Sequence, residues 1–175
     1  MDDKISVLFS EEELDKRIRE MGEEISRDYA GKAVHLVCVL KGGTFFMCEL
    51  AKRITVPVSI DFMSVSSYGD SSVSSGIVRI NKDLDKPLEG KHVIVVEDII
   101  DTGRTLSYLL KVLKDRKPAS VKLATMLDKP DRRVVDDVNV DYTGYVIPDK
   151  FVVGYGLDYA EKYRNLPYIG VVEEV

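Results

Sequence analysis

Two adjacent acids, Glu97 and Asp98, directly follow the apolar residues 93–96. The apolar run is typical of a buried strand, and carboxylates at its end are unfavourable unless they bind a polyol, a cation or both. The alternative is that both acids only cap the helix that follows. The pair therefore predicts a site for hydroxyl groups or a divalent cation, with helix capping left open.

The next five residues, Asp101 to Thr105, have the sequence Asp-Thr-Gly-Arg-Thr and precede a predicted helix. A helix start offers unpaired N–H groups and the positive end of the helix dipole to an anion. Gly103 allows a close backbone approach, and Thr102 and Thr105 add hydroxyl donors. A phosphomonoester fits this turn, and together with the two acids it predicts a ribose 5-phosphate ligand.

Two commoner phosphate motifs are excluded by the sequence. There is no Gly-x-x-x-x-Gly-Lys-Ser/Thr run, and residues 154–159 lack the third small residue of a dinucleotide fingerprint. Neither ATP hydrolysis nor NAD chemistry is indicated.

Apolar runs and helical periodicities alternate along the chain and predict an α/β fold with a central, mainly parallel twisted sheet flanked by helices. Ser10 and Glu13 form a capping box for the first helix, and Thr44 is predicted to cap the second. In such sheets ligands bind beyond the carboxyl ends of the strands, where the acidic turn stands. Strands are predicted at residues 34–40, 56–62, 93–96, 121–126, 145–147 and 151–153, and the later helices at 44–53 and 106–113.

Composition narrows the class of protein. The 175 residues are 45% apolar, which predicts one globular domain over residues 1–175. A formal net charge of −5 without a basic run argues against nucleic acid as a partner. Cys38 and Cys48 are too few for a disulfide framework, so we expect a reducing cytoplasmic location. There is no signal-peptide pattern and no apolar run of the ~18 residues that a membrane span needs.

The serine-rich residues 64–76 predict a mobile loop that is too long to be an idle connection. The two histidines, His35 and His92, each open an apolar strand, and we predict a structural role for both.

Residues 95–106 resemble the signature of type I phosphoribosyltransferases, two acids after an apolar strand and then Thr-Gly-x-Thr. From about Ser10 to Val172 the chain resembles the hypoxanthine-guanine phosphoribosyltransferase family, with matching blocks at residues 40–43, 67–68, 127–130 and 149–158. The resemblance implies a core at about 32–148, a lid loop at about 64–78, and a small hood from the N-terminus and about 149–175.

The family's activity, as the resemblance implies it, is Mg²⁺-dependent transfer of 5-phosphoribosyl from phosphoribosyl pyrophosphate to hypoxanthine or guanine in purine salvage. Glu97 and Asp98 would hold the ribose hydroxyls, directly or through Mg²⁺ and water. Asp101, Thr102, Gly103, Arg104 and Thr105 would bind the 5′-phosphate. Asp101 would also serve as the general base, with a helix N-cap as the alternative reading.

The resemblance also assigns the purine site. Lys129 would donate to the exocyclic O6, Phe151 would stack on the base, and the Val152 carbonyl would accept from the 2-amino group of guanine. Asp158 is assigned both to the purine site and to Mg²⁺ on the pyrophosphate side. The alternatives are a solvated turn for Lys129 and core packing for Phe151 and Val152.

Pyrophosphate would contact Lys41, Gly42 and Arg164, although Arg164 could also be an ordinary surface charge. In the family the peptide between Leu40 and Lys41 is cis. Ser67 and Tyr68 would lie in a lid that closes over the site and excludes water.

Two other functions stay open at this point. One is a sibling enzyme that prefers xanthine, and the other is a regulator of the same fold that binds nucleic acid. The resemblance further implies a homodimer or homotetramer, without a nucleic acid or membrane partner.

Overall fold

The structure is a computed structural model that describes residues 3–67 and 78–173. Helices and strands alternate through most of this part of the chain. In chain order the elements are β1 (Ile5–Phe9), α1 (Glu11–Asp28), β2 (Val34–Val39), α2 (Thr44–Arg53), β3 (Val58–Ser67), β4 (Val78–Lys82), β5 (His92–Ile100), α3 (Arg104–Lys114), β6 (Ser120–Asp128), a 3₁₀ turn (Pro130–Arg132), β7 (Tyr142–Val146), β8 (Val152–Val153) and β9 (Ile169–Val172).

The main sheet has six strands in the order β4-β3-β2-β5-β6-β7. Strand β4 is antiparallel to β3, and the other neighbours are parallel. Every residue of β2 is buried, as expected of a central strand covered on both faces. Leu36 and Cys38 pack into the core that contains α1 and α2, while Val37 and Val39 pack into the core that contains α3. The predicted α/β fold is confirmed.

A second, three-stranded sheet has the order β1-β9-β8 and is antiparallel throughout. Ile5 lies opposite Val172, and Val152 lies opposite Val171, so both ends of the described chain meet in this sheet. We call this sheet, together with residues 154–168 that join β8 to β9, the hood. Phe151 directly precedes β8, and Asp158 and Arg164 lie in the joining segment.

Helix α1 begins as predicted. The Glu13 backbone N–H donates to the Ser10 hydroxyl, and the Ser10 N–H donates to the Glu13 carboxylate. Helix α2 does not begin as predicted, because Gly43 is its N-cap and Thr44 is its first residue. The Thr44 hydroxyl instead donates to the Lys41 carbonyl at 2.7 Å.

The sequence predicted a loop that begins at Ser64, and this starting point was wrong. Strand β3 continues to Ser67. Residues 64–67 pair with β4, and the pairing ends where Ser67 lies opposite Val78. Serine side chains are tolerated there because β3 is partly exposed at this end. Tyr68 and the rest of the predicted lid, residues 68–77, lie outside the described residues.

Both histidines lie at the amino ends of their strands, the edge of the sheet opposite to the acidic turn. His35 Nδ1 is 2.6 Å from the Ser59 hydroxyl, and His92 Nδ1 is 2.8 Å from the Ser120 hydroxyl. These contacts agree with a structural role. Among the described helices, none combines the length and apolar content that crossing a bilayer demands.

Candidate active site

Strand β5 carries the two acids, and the turn that follows leads into α3. Glu97 and Asp98 lie inside β5, well before the helix start. Gly103 is the N-cap of α3, in the left-handed region at φ 80°, and no side chain caps the helix. The capping alternatives for Glu97, Asp98 and Asp101 were therefore wrong, and all three carboxylates are available for other partners.

A cavity of about 180 Å³ opens at this turn. Its walls include Glu97 at one end and Asp101, Thr102, Gly103 and Thr105 at the other. Thr102 and Thr105 line this cavity together with the start of α3, whose first N–H groups have no partner within the helix. The geometry thus brings the acid predicted to bind hydroxyls and the turn predicted to bind an anion into one pocket.

Burial dominates the electrostatics of the two acids. It raises the pKa of Asp98 to about 6, although the Ile99 N–H donates to its Oδ1 at 2.7 Å. Burial also raises the pKa of Glu97 well above its usual range, and the neighbouring charge of Asp98 raises it further. Such a pair is poorly stabilised by the protein alone, so a cation or hydroxyl donors would bind it favourably.

The segment after β2 packs directly against these acids. The Leu40–Lys41 peptide is cis, as the resemblance implied. A Cβ on Gly42 would lie 1.8 Å from Asp98 Oδ2, so only glycine fits. The predicted pyrophosphate residues Lys41 and Gly42 therefore border the predicted ribose site.

The hood adds the remaining residues of the pyrophosphate side. Arg164 donates to the Gly156 carbonyl at 2.6 Å and lies 3.3 Å from Asp158 Oδ1. Its side chain is only 24% exposed, which contradicts an ordinary surface charge. Glu161, which was not predicted, joins this group at 3.2 Å from Lys41 Nζ and 3.4 Å from Arg164 Nη2.

Lys129 stands on the purine side, just after β6. Its side chain is only 8% exposed, with Nζ at 3.6 Å from Asp101 Oδ1 and 3.5 Å from Asp149 Oδ1. The Lys129 backbone N–H also donates to the Ile100 carbonyl at 3.0 Å. The solvated-turn alternative was wrong, and Asp149 is a further residue that the sequence reasoning missed.

Phe151 is 53% exposed, so core packing is not its role. Its ring meets Tyr159 edge to face, with centroids 5.4 Å apart and planes at 80°. Val152, in contrast, is buried in β8 and packs into the core that contains α1 and α2, so core packing is correct for its side chain. An exposed face of Phe151 is left for a planar ligand, with Tyr159 fixing the ring from its edge.

Comparison with known proteins agrees with this geometry. Residues 8–160 match the phosphoribosyl transferase domain family. The chain belongs to this family. It is 56% identical over 168 residues to the hypoxanthine-guanine phosphoribosyltransferase of Streptococcus thermophilus, covering 96% of this chain and 93% of that protein. The Bacillus subtilis enzyme of the same name is 52% identical over 167 residues, covering 95% of this chain and 92% of that protein.

The fold of this phosphoribosyltransferase is also similar to a solved structure. A Bacillus anthracis hypoxanthine-guanine phosphoribosyltransferase superposes with a TM-score of 0.94 at 46% identity. The superposition covers 98% of this chain and 100% of that chain. Likeness over this length includes the hood as well as the main sheet.

The carboxylates of this phosphoribosyltransferase are divided between two places. Glu97 and Asp98 lie on β5, whereas Asp158 pairs with Arg164 and accepts from the Glu161 N–H at 2.9 Å. Over residues 3–67 and 78–173, no group of three or more metal-binding side chains forms a cage. This arrangement fits Mg²⁺, which binds one or two carboxylates and keeps water or ligand oxygens.

Ser67, the first predicted lid residue, is the last residue of β3. Its assignment to a lid rests on the resemblance and remains a prediction, as does that of Tyr68.

Proposed function

We propose that this phosphoribosyltransferase moves 5-phosphoribosyl from phosphoribosyl pyrophosphate to hypoxanthine or guanine and releases IMP or GMP with pyrophosphate. One observation supports it most directly, the contact between Lys129 and Asp101 at 3.6 Å. It places an obligate hydrogen-bond donor beside an acceptor at the mouth of the phosphate cavity.

Lys129 supports the choice of base. Its ammonium group donates and cannot accept, so it fits the carbonyl at C6 of hypoxanthine or guanine. The amino group of adenine at that position would leave two donors facing each other. Phe151 would stack on the base, the Val152 carbonyl would accept from the 2-amino group, and Asp158 would complete the purine side.

Asp101 is the proposed general base. It is exposed, close to Lys129 and one residue from the phosphate turn, so it can accept the proton that the purine loses when the glycosidic bond forms.

The ribose 5-phosphate would lie along the end of β5. The turn from Asp101 to Thr105 would bind the phosphate, and Glu97 and Asp98 would hold the ribose hydroxyls. Glu97, Asp98 and Asp158 are the residues that would hold Mg²⁺, which when bound would offset negative charge on the departing pyrophosphate. Lys41, Gly42 and Arg164 would bind the pyrophosphate oxygens.

A lid over this site would exclude water, which competes with the purine for the activated ribose. We assign that role to the segment that includes Ser67 and Tyr68.

We further propose that the protein works in the cytoplasm as a homodimer or homotetramer. Cys38 and Cys48 are both free thiols, in keeping with a reducing compartment. Light scattering of the purified protein would measure its mass in solution, and a monomer at micromolar concentration would contradict the assembly.

The proposed reaction is tested with purified protein, phosphoribosyl pyrophosphate and Mg²⁺, offering hypoxanthine, guanine, xanthine and adenine separately. We expect IMP and GMP to form and adenine to be inert. A preference for xanthine would identify the sibling enzyme. No turnover with any base, together with salt-dependent RNA binding, would instead support the regulator.

A further inference from the structure

Arg133 follows the 3₁₀ turn after β6 and forms an ion pair with Asp128, the last residue of that strand. Its side chain is 16% exposed, and that of Asp128 is 12% exposed. From this anchored position, Arg133 Nε donates to the Asp101 carbonyl at 3.2 Å. Arg133 thus joins the end of β6 to the turn after β5.

A second contact secures the same turn. The Val134 N–H donates to the Thr102 carbonyl at 3.1 Å. Two consecutive carbonyls, of Asp101 and Thr102, therefore point toward residues 133–134. In a planar trans peptide the N–H points opposite to the C=O. The N–H groups of Thr102 and Gly103 consequently point away from Arg133.

Asp101, Thr102 and Gly103 line the cavity at the turn, whereas Arg133 lines a different cavity, with Ser107 and Asp137. Gly103 shows how closely Arg133 packs, because a Cβ there would lie 2.9 Å from Arg133 Cδ. The arginine thus fixes the peptide planes of Thr102 and Gly103, whose N–H groups point away from it toward the rest of the turn that lines the cavity.

We propose that Arg133 is a positioning residue for the 5′-phosphate site, acting through the Asp101 and Thr102 peptides without touching the ligand. This inference rests on the proposed function. A planar guanidinium group can serve Asp128 and the Asp101 carbonyl together, whereas a lysine ammonium group is a point charge that cannot match this fork. Substitution by lysine keeps the charge and loses the geometry.

The test is Arg133→Lys, with ribose 5-phosphate and inorganic pyrophosphate as separate competitive inhibitors. We expect the inhibition constant of ribose 5-phosphate to rise roughly tenfold, the effect of losing one charge-assisted hydrogen bond. The constant for pyrophosphate should change less than about twofold, since Lys41 and Arg164 are not altered. The KM for phosphoribosyl pyrophosphate should rise more than kcat falls.

Arg116→Lys is the matched control, because Arg116 forms an ion pair with Asp83 at 2.7 Å and is not among the residues assigned to the site. Asp128→Asn provides a second variant, which keeps the side-chain size and removes the charge that anchors Arg133. It should weaken the binding of ribose 5-phosphate, and not that of pyrophosphate, in the same way. This variant provides the test if Arg133→Lys does not fold.

Equal loss of affinity for ribose 5-phosphate and pyrophosphate would show general damage and overturn the inference, as would unchanged affinity for both in a folded variant. Wild-type protein that forms no IMP or GMP would contradict the proposed function instead. Wild-type turnover with an unaffected Arg133→Lys variant would contradict only the positioning role.

Discussion

Replacing Asp98 with asparagine should make the ligand-free protein more stable at neutral pH while reducing its activity. The Asp98 carboxylate is buried beside Glu97, and its pKa is raised from 3.8 to about 6. Because the folded state binds this proton more tightly than the unfolded state, ionisation favours unfolding. The contribution of the protonated group is fully present below the unfolded pKa and is lost as pH rises through about 6.

The size of the effect follows from the shift. Each pKa unit corresponds to about 1.4 kcal/mol. The shift of about two units therefore lowers the free energy of unfolding by roughly 3 kcal/mol above pH 7. Asp98 is partly accessible through the site, which reduces this to about 2 kcal/mol. An asparagine carbonyl can still accept from the Ile99 N–H, so the substitution removes charge and keeps shape.

Urea unfolding in EDTA at several pH values between 4 and 7 measures the difference between variant and wild type. The advantage of Asp98→Asn in free energy of unfolding should grow by about 2 kcal/mol across this range. Asp83→Asn is a control whose difference from wild type should stay constant between pH 4 and 7, because the hydrogen bond with Arg116 lowers the pKa of Asp83. Its stabilisation is present above pH 3.8 and is lost as pH falls through the folded pKa. A pH-independent difference for Asp98→Asn would refute the reasoning.

Three further substitutions separate the parts of the site. Asp101→Asn should lower kcat roughly 10²-fold and leave the KM for phosphoribosyl pyrophosphate nearly unchanged, and normal turnover would exclude Asp101 as the base. Glu161→Gln frees Lys41 and Arg164, so the inhibition constant of pyrophosphate should fall about two- to fivefold, as expected for an exposed ion pair. A rise would show that Glu161 assists binding. Phe151→Leu should raise the KM for hypoxanthine about three- to tenfold without affecting that for phosphoribosyl pyrophosphate, and equal changes in both would contradict stacking.

The phosphate side could be predicted because its residues are neighbours in sequence. Glu97 to Thr105 form one strand, one turn and one helix start, so residue type and local structure alone place the acids beside an anion site. The central strands were equally predictable, because burial on both faces leaves a continuous apolar run. Sequence patterns were therefore sufficient to predict those parts of the site whose residues are neighbours in the chain.

The missed features depend on contacts between distant parts of the chain. Asp149, Tyr159, Glu161 and Arg133 gain their roles only after the hood and the turn after β6 pack onto the site. In sequence each is an ordinary charged or aromatic residue. The strand at residues 64–67 was missed for the same reason, since its pairing with β4 supplies a stabilisation that serine composition does not reveal.

Two glycines, Gly42 and Gly156, explain how closely the hood packs against the main sheet beside Asp98. Asp98 Oδ2 occupies the space beside Gly42 that a side chain would fill, and the Gly42 carbonyl lies 2.1 Å from the Cβ position of Gly156. Gly156, at φ 100°, also donates its N–H to the Arg164 carbonyl at 2.9 Å. The Asp98 carboxylate, which would hold ribose, thus packs against Gly42 of the segment that would bind pyrophosphate, and the Gly42 backbone packs against the hood turn before Asp158. Because Gly42 has no side chain and packs tightly against both neighbours, a shift of the hood turn would displace Gly42 and the Asp98 carboxylate that lies against it.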